Sequence, residues 1–572
     1  MNFSLKARVL CGAALSALAI GGHAYAQDDA ANESVESIAE ETEEEARQEK
    51  IVVTGSLIAR SNFTSASPIQ IITAEEATLE GLIDTAALLQ GSSIASGSTQ
   101  LNNTFQNFVT NGGVGTRTLD LRGCGDVRTL ILVNGKRPGP SGTRGAVSAF
   151  DLNNIPQSIV QRIEILKDGA STIYGSDAVC GVANIITRDT IDSPELTFSG
   201  TLPFESGGEE FRINGAFGLE FGDNVDLTFS AEYRLSNELN VGDRDYLNCE
   251  RDRVTDPSTG AVLDRINASV TAGSGRGNCS NLYFNTVIDA FSFGSRLVPN
   301  PGGADAGSAV QGLFIPGYRP RANGVNSAGQ LFYEDVLDAP FLDERDFFPE
   351  NENIALFGTA NVVLGQLDWD TQMLYNKRTT TVEGFRQFFP YVGSNDINNF
   401  GPGAGGAFGL NYLGDPGYVN SAGGLALPVM PYPTFDEISV EYVLLSSSLG
   451  GGFGDFLPDW SWNLSATYSR GDGDYSGSEI LISKSGDWTL DGVADYTGDG
   501  VPDLVAPPTI DYFDPAILSG AAMDQLVAAV GGYQTGNTVY DQTTLTGVAA
   551  GELFDLPAGP VSVGLGHPNA IQ

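Results

Sequence analysis

Oxygen-bearing side chains in residues 495–503 have the spacing of a metal-binding loop. They stand at alternate positions with a glycine at the bend, as the ligands of calcium loops do. The bidentate glutamate that ends an EF-hand loop is missing, so an acidic turn without metal is the alternative. The sequence therefore offers one candidate Ca²⁺ site, formed by Asp495, Thr497, Asp499 and Asp503.

Four of the five cysteines lie beyond the first 26 residues, and they are the second group with possible chemistry. In an oxidising compartment, four cysteines can pair in three ways. The most local pairing joins Cys124 to Cys180 and Cys249 to Cys279. The CxxC-like spacing of zinc sites is absent, so we expect disulfides, with the pairing open among the three.

Histidine and charge argue against two large classes of function. His567 is the only histidine beyond the first 26 residues, so a Ser–His–Asp or Cys–His catalytic site is difficult to assemble. The chain has 30 Lys and Arg against 71 Asp and Glu, a formal net charge of -41. Binding to nucleic acid needs a basic surface. We expect neither an enzyme nor a nucleic-acid-binding protein, and no cofactor apart from the candidate Ca²⁺.

The N-terminus has the pattern of a secretory signal peptide. Lys6 and Arg8 precede an apolar run over residues 9–20, and residues 24–26 have the small-residue cleavage pattern. We therefore expect residues 1–26 to be removed on export. No later stretch approaches the roughly 18 apolar residues of a membrane helix. A periplasmic protein, a secreted protein and a membrane β-barrel remain possible.

Two short segments follow the predicted signal peptide. Residues 27–49 are acidic and contain no aromatic residue, which predicts a flexible tail. Residues 50–56 contain the β-branched run Ile51, Val52, Val53 and Thr54, closed by Gly55. Such a run can add as a strand to the sheet edge of another protein, or it can be the first strand of the next domain.

Residues 57–190 mix short helical and strand patterns and predict one compact α/β domain. Thr73 begins a capping-box pattern, and Asp84 is placed to cap a helix through Leu88 and Leu89. Asn134-Gly135 is a tight-turn dipeptide that should close a strand. The predicted strands are 128–133, 162–166 and 182–187, and the predicted helical segments are 155–160 and 171–178.

From about residue 195 the hydrophobic pattern has a period of two. Nine strands of bilayer-crossing length are predicted, at 196–204, 211–221, 225–233, 354–364, 367–375, 438–444, 460–468, 545–553 and 561–565. Tight turns alternate with the long joins 236–352, 379–435 and 471–542. Outer-membrane barrels alternate short periplasmic turns with long external loops in this way. The pattern predicts an antiparallel transmembrane β-barrel over 195–572, with a secreted β-rich protein as the alternative.

Two stretches carry a resemblance to a known family. Residues 121–137 (LRGCGDVRTLILVNGKR) and 155–186, with the run RIEILKDGAS and the later IYGSDA and GVANII, resemble the plug motifs of TonB-dependent outer-membrane receptors. The matching positions are Arg122, Gly123, Arg128, Asn134, Gly135, Lys167, Asp168, Gly169, Tyr174, Gly175, Ser176, Asp177, Gly181 and Asn184. The resemblance implies that residues 57–190 form a plug domain inside a barrel of about 22 strands.

The resemblance also implies partners and a role. Lys50, Ile51, Val52, Val53, Thr54 and Gly55 match the TonB box, which pairs with TonB. TonB, with ExbB and ExbD, would energise import of a scarce small molecule, such as a siderophore or a saccharide, across the outer membrane. Outer-membrane lipid would surround the barrel. Arg122 and Arg128 could latch the plug to acidic residues of the barrel, or could form local ion pairs.

The chain ends after nine predicted strands, whereas the barrels of this family close on themselves. An open barrel would leave two unsatisfied strand edges in lipid. We therefore expect a fragment or a truncated, non-functional receptor as alternatives to a working importer. A β-rich surface protein or adhesin without transport activity is the remaining alternative.

Overall fold

The computed structural model describes most of residues 69–247, with gaps at 74–83, 96–97, 99, 102–110, 148, 176 and 223. It also describes short stretches between 253 and 338, and residues 339–390, 392–393, 411–412, 425–485, 510–556 and 559–571. The predicted signal peptide, acidic tail and TonB box, at residues 1–56, lie outside these ranges.

The α/β domain is built on a four-stranded mixed sheet. Its elements are β1 (Ile69–Thr73), α1 (Thr85–Gln90), β2 (Thr129–Val133), β3 (Val160–Leu166), α2 (Ser171–Tyr174) and β4 (Gly181–Thr187). The strand order is β1-β3-β4-β2, and β2 runs parallel to β4 while the other pairs are antiparallel. Every residue of β2 is buried, because the sheet is covered on both faces.

Local sequence signals explain two elements of this domain. Asp84 accepts a hydrogen bond from the backbone N–H of Ala87 and begins α1, which confirms the predicted cap. Asn134 and Gly135 have φ values of 50° and 74°, so they form the predicted tight turn after β2. Thr73 ends β1, and the helix predicted after it lies outside the described residues.

Nine long strands form one antiparallel sheet, which we call the wall. They are β5 (Glu195–Thr201), β6 (Glu210–Glu220), β7 (Val225–Ser236), β8 (Glu350–Leu364), β9 (Leu367–Phe388), β10 (Leu425–Gly452), β11 (Trp460–Ile480), β12 (Gly531–Leu556) and β13 (Gly559–Ile571). Each pairs with the next in chain order. All nine predicted strands are confirmed, although those from β9 to β12 are much longer than predicted.

The two faces of the wall have opposite polarity. Large apolar side chains such as Leu196, Met373 and Leu545 are exposed on the outer face, whereas Asn353 and Arg378 are buried on the inner face. Apolar residues outside and polar residues inside are the pattern of a membrane-spanning barrel. Within the described residues β5 and β13 pair with one wall strand each, so this part of the barrel is open.

The segments between the long strands carry smaller elements. The helices are α3 (Ile482–Ser485), α4 (Pro515–Leu518) and α5 (Met523–Val530), and 3₁₀ turns occur at Asp126–Arg128, Leu152–Asn154, Gln157–Ile159, Val241–Asp243, Pro340–Glu344 and Gly454–Phe456. Among the described helices, none is long and apolar enough to cross a membrane.

The remaining strands of the described residues are short. They are Leu239–Asn240, Arg253–Thr255, Val262–Asp264, Ser280–Asn281, Thr286–Asp289, Ser295–Pro299, Leu313–Phe314, Tyr318–Pro320, Asn323–Val325, Leu331–Tyr333, Leu337–Asp338, Asp346–Phe348, Val392–Gly393 and Asn411–Tyr412.

Candidate functional site

A buried carboxylate of the α/β domain receives an arginine from the wall. Asp84 pairs with Arg117 of its own domain, and its Oδ2 lies 3.4 Å from Nη1 of Arg234 on β7. Burial alone would raise the pKa of Asp84, but the two arginines and the Ala87 N–H outweigh it and hold that pKa well below its usual range. Asp84 is therefore a carboxylate at any physiological pH.

A second carboxylate of the α/β domain also pairs with an arginine of the wall, this time on β9. Nε of Arg378, on β9, lies 3.0 Å from Oδ2 of Asp151, and the arginine is fully buried. Its Nη1 donates to the carbonyl of Val114 at 2.8 Å, and its Nη2 donates to Oγ1 of Thr116 at 3.1 Å. One wall arginine therefore joins two separate segments of the α/β domain.

Asn153 links the two ion pairs into one network. Its Oδ1 accepts a hydrogen bond from Nη2 of Arg234 at 2.6 Å, and its Nδ2 donates to Oδ1 of Asp151 at 2.7 Å. Its backbone carbonyl accepts from Asn353 and Asn376 of the wall, each at 3.2 Å. Buried hydrogen-bond networks of this kind favour one relative position of the two parts. Within this network, Nε of Arg234 and Oδ1 of Asn376 have no hydrogen-bond partner among the described residues.

A third group of contacts lies on β6 and β7. Arg212 and Glu232 of the wall are paired at 3.3 Å and are both buried. Arg212 donates to Oε1 of Gln157 at 2.6 Å, and Glu232 accepts from the Gln157 backbone N–H at 3.1 Å. The hydroxyls of Ser158 and Ser230 are 2.6 Å apart. The Arg212–Glu232 pair thus binds both the side chain and the backbone of Gln157.

Glycines allow the two backbones to approach closely on the far side. A Cβ on Gly473 of β11 would lie 2.6 Å from the carbonyl oxygen of Gly142, and one on Gly471 would lie 2.9 Å from that of Pro140. The N–H of Gly139 donates to the Ser469 hydroxyl at 3.0 Å. Larger side chains at these positions would push the domain away from the wall.

Arg144 joins the α/β domain to β10 and β11. Its Nη1 lies 2.9 Å from Oδ1 of Asp436, and its guanidinium carbon lies 4.8 Å from the centre of the Tyr475 ring. The backbone at Arg144 has a φ of 63°, which is uncommon outside glycine. An ion pair and a cation–π contact therefore hold this strained loop against the wall.

The contacts are suited to holding the α/β domain against the wall, and most of them are ion pairs and hydrogen bonds. Negative charges of the α/β domain face positive charges of the wall at Asp84 and Asp151, while Arg144 reverses the signs. Within the described ranges, no group of three or more His, Cys, Asp or Glu side chains is arranged to hold a metal. The residues of the Ca²⁺ prediction, 495–503, lie outside those ranges.

The predicted latch arginines are not the ones that reach the wall. Arg122 lies 3.7 Å from Asp168, and both side chains are about half exposed. Arg128 donates to the carbonyl of Cys124 at 2.8 Å. Of the two alternatives the latch is wrong and the local contact is observed, because Arg122 pairs with Asp168 after β3 and Arg128 bonds within its own turn. The arginines that join the wall to the α/β domain are Arg212, Arg234 and Arg378, and their partners lie far away in the sequence.

Other predicted plug-motif residues have structural contacts. Asn134 donates to Oε1 of Gln372 on β9 at 2.9 Å, and Oδ1 of Asn184 accepts from the N–H of Gly135 at 2.9 Å. Arg137 pairs with Asp177 and also donates to the carbonyl of Tyr174. Positive φ values occur at Gly123, Gly175 and Gly181, and a Cβ on Gly169 would lie 2.6 Å from the Val179 carbonyl. Lys167 is half-buried, and Ser176 lies outside the described residues.

One of the predicted disulfides is present. Cys124 and Cys180 are bonded, with their Cα atoms 6.3 Å apart. Cys249 and Cys279 lie outside the described residues, so their pairing stays a prediction, as does the role of Lys50 to Gly55.

Comparison with known proteins identifies the α/β domain. Residues 61–182 match the family model of the TonB-dependent receptor plug domain. Residues 61–182 belong to the plug-domain family of TonB-dependent receptors. The α/β domain is the plug, and the receptors of this family lie in the outer membrane. The wall is the part of the barrel that contacts this plug.

Individual relatives are receptors for siderophores. The chain is 34% identical over 139 residues to the ferric enterobactin receptor of Pseudomonas aeruginosa, covering 23% of this chain and 18% of that receptor. A crystal structure of a mutant of that receptor aligns at 14% identity and a TM-score of 0.38, covering 89% of this chain and 58% of the receptor. The siderophore receptor PiuA of Acinetobacter baumannii aligns at 11% identity and a TM-score of 0.34, covering 91% and 63%. The chain therefore spans less than two thirds of these relatives.

Proposed function

We propose that this chain supplies the plug and part of the barrel of a receptor that imports a ferric siderophore across the outer membrane. The match of residues 61–182 to the plug-domain family carries the proposal. The name of the ferric enterobactin receptor supports the substrate class.

The buried network explains why import needs energy. Moving the segment that carries Asp84 separates this carboxylate from Arg234. It also takes the Val114 carbonyl and the Thr116 hydroxyl away from Arg378. Breaking a buried pair in this way costs about 3–5 kcal/mol. Several such contacts must be lost, so thermal motion rarely opens the path.

A protein that pulls on the N-terminus could supply this work. Residues 50–55 form a β-branched run that can add to a sheet edge of TonB, and hydrogen bonds along a strand loaded lengthwise must break together. In this proposal ExbB and ExbD energise TonB, and the pull on Lys50 to Gly55 displaces the plug.

Deletion of residues 50–56 tests the proposal in cells that produce the receptor. We expect uptake of iron-labelled ferric enterobactin to be lost and its binding to be retained. A deletion of equal length in the acidic tail, over residues 33–39, is the matched control and should leave uptake intact. Uptake that survives the loss of residues 50–56 would rule out the proposal and favour a surface protein without transport activity.

A further inference from the structure

The Cys124–Cys180 disulfide links the segments that lead into two neighbouring strands of the plug. Cys124 lies in the turn before β2, and Cys180 directly precedes β4. These strands are parallel neighbours, with Thr129 opposite Gly181. The two cysteines are separated by 56 positions in the sequence, so the bond closes a long covalent loop.

This loop changes how tension travels through the plug. A pull applied ahead of β1 runs along the backbone to Cys124, crosses the disulfide to Cys180 and continues through β4 to the wall. Residues between the two cysteines lie outside that path and carry no tension while the bond is intact. The loop contains β2, β3, α2 and Asp151, whereas β1 and α1 lie in the segment that is pulled.

The wall contacts fall on both sides of this division. Asp84, Val114 and Thr116 belong to the pulled segment, and they contact Arg234 and Arg378. The covalent loop carries other wall contacts, among them Asp151 with Arg378, Asn153 with Arg234, Gln157 with Arg212, and Arg144 with Asp436.

Each of the two shared arginines therefore keeps a partner when the pulled segment leaves. Arg378 retains the carboxylate of Asp151 at 3.0 Å, and Arg234 retains the amide oxygen of Asn153 at 2.6 Å. A buried arginine left without any partner would be strongly unfavourable. Withdrawal of the first segment alone avoids that state at both positions.

We propose that the Cys124–Cys180 disulfide limits how far the plug unfolds under tension. Residues ahead of Cys124 are extracted, and the loop between the cysteines stays folded against the wall. The identity of the pulling protein rests on the proposed function, but the limit itself is a property of the chain.

Single-molecule pulling on the full chain in a lipid bilayer tests the limit. The handle is attached ahead of Lys50, and a Cys249→Ser, Cys279→Ser background leaves one disulfide. A further Cys124→Ser, Cys180→Ser change frees the 56-position loop. At about 3.5 Å per extended residue, the unfolded length should then increase by roughly 200 Å. Equal lengths with and without the bond would overturn the proposal.

Reduction provides a second route that does not depend on how the variant folds. The oxidised background protein is pulled first without and then with a thiol reductant, and the same increase of roughly 200 Å is expected. An unchanged length after reduction, with loss of the bond verified by thiol labelling, would also overturn the proposal. Because no TonB is present, the outcome is independent of the uptake experiment with residues 50–56 deleted.

Discussion

Lys377 and Arg378 are adjacent on β9 and point to opposite faces of the wall. Lys377 lies on the outer face, 2.8 Å from Glu441, and both side chains are nearly half exposed. Arg378 lies on the inner face, fully buried, and donates to Asp151, Val114 and Thr116. The two ion pairs have almost the same length, yet they differ in the solvent around them.

The comparison shows that distance alone does not measure what an ion pair contributes. Exposed pairs contribute about 0–1 kcal/mol because water already solvates both charges. In a buried pair, removal of one member leaves the other charge without solvent or partner. The exposed Arg470–Asp541 pair, at 3.0 Å on the outer face, belongs with Lys377. We therefore expect the inner face to hold the plug and the outer face to contribute little to plug stability.

Replacement of Arg378 should give the largest effect. Arg378→Met leaves Asp151 charged and buried, so the free energy of plug unfolding should fall by about 4 kcal/mol. Lys377→Met is the matched control on the same strand and should change it by about 1 kcal/mol or less. Hydrogen exchange of the β2 and β4 amides in detergent measures both. Similar losses in the two variants would contradict the comparison between the faces.

Asp84 should give the next largest effect, and its effect should depend on pH. Asp84→Asn leaves Arg117 and Arg234 without their carboxylate and should cost about 3 kcal/mol at pH 7. The folded pKa of Asp84 lies below the value of about 3.9 for an unfolded aspartate. Its contribution is therefore fully present above about pH 4 and is lost as the pH falls towards the folded pKa.

The difference between wild type and Asp84→Asn should be constant from neutral pH down to about pH 4 and should shrink below it. Plug unfolding followed by hydrogen exchange across that range, with intrinsic rates corrected, checks the sign. A difference that grows in acid would show that the two arginines do not set the ionisation of Asp84.

The sequence predicted the strands of the wall better than the contacts between wall and plug. Period-two alternation is enough to locate all nine strands, since apolar residues such as Met373 recur on the lipid face. The predicted strands end too early because polar residues occupy both faces beyond the apolar part of each strand, as at Lys377 and Arg378. The ends of β9 to β12 are set by pairing with neighbours, which alternation does not encode.

The buried network could not be predicted from local patterns. An inward arginine such as Arg234 reads as one more polar residue on a barrel interior, and only the fold brings it to Asp84, 150 positions away. The plug arginines Arg122 and Arg128 stand in a recognisable motif, yet they form local contacts. The Cys124–Cys180 bond was easier to predict from the sequence, because it belongs to the most local of the three possible pairings.

Substitution of Gly115 tests how closely the plug packs against Arg378, and we expect it to destabilise the plug less than the Arg378 and Asp84 variants do. Its φ is 83°, and a Cβ there would lie 2.8 Å from Nη1 of Arg378 and closer still to the Thr380 hydroxyl. Gly115→Ala should destabilise the plug by roughly 2 kcal/mol, from backbone strain and displacement of the arginine.

Gly123→Ala is the control for the backbone term of the Gly115 prediction. Gly123 also has a positive φ, of 69°, but its Cβ would meet nothing within 4 Å. It should therefore cost only about 1 kcal/mol. Equal costs in hydrogen-exchange measurements would mean that contact with the wall contributes nothing at Gly115.

Asp346 gives the smallest and most local effect, and it contrasts with Asp84 because carboxylates surround it. It lies in the short strand Asp346–Phe348, and its Oδ2 accepts a hydrogen bond from the Glu383 backbone N–H at 2.7 Å. Burial raises its pKa to about 7, and the charges of Glu383, Glu238 and Glu350 add to the rise. The folded state therefore favours the protonated acid. The contribution of this acid is fully present below about pH 4 and is lost as the pH rises through about 7.

The pairing of Asp346–Phe348 with Leu239–Asn240 should then be tighter at pH 5 than at pH 8. Hydrogen exchange of the amides in these two strands, corrected for intrinsic rates, should slow several-fold at the lower pH, while the plug amides should not change. Asp346→Asn has no proton to lose at this position and should remove the pH dependence. If Asp346→Asn keeps the pH dependence, another group titrates. The contrast between Asp84, which is neutralised by arginines, and Asp346, which is neutralised by its own proton, would then fail.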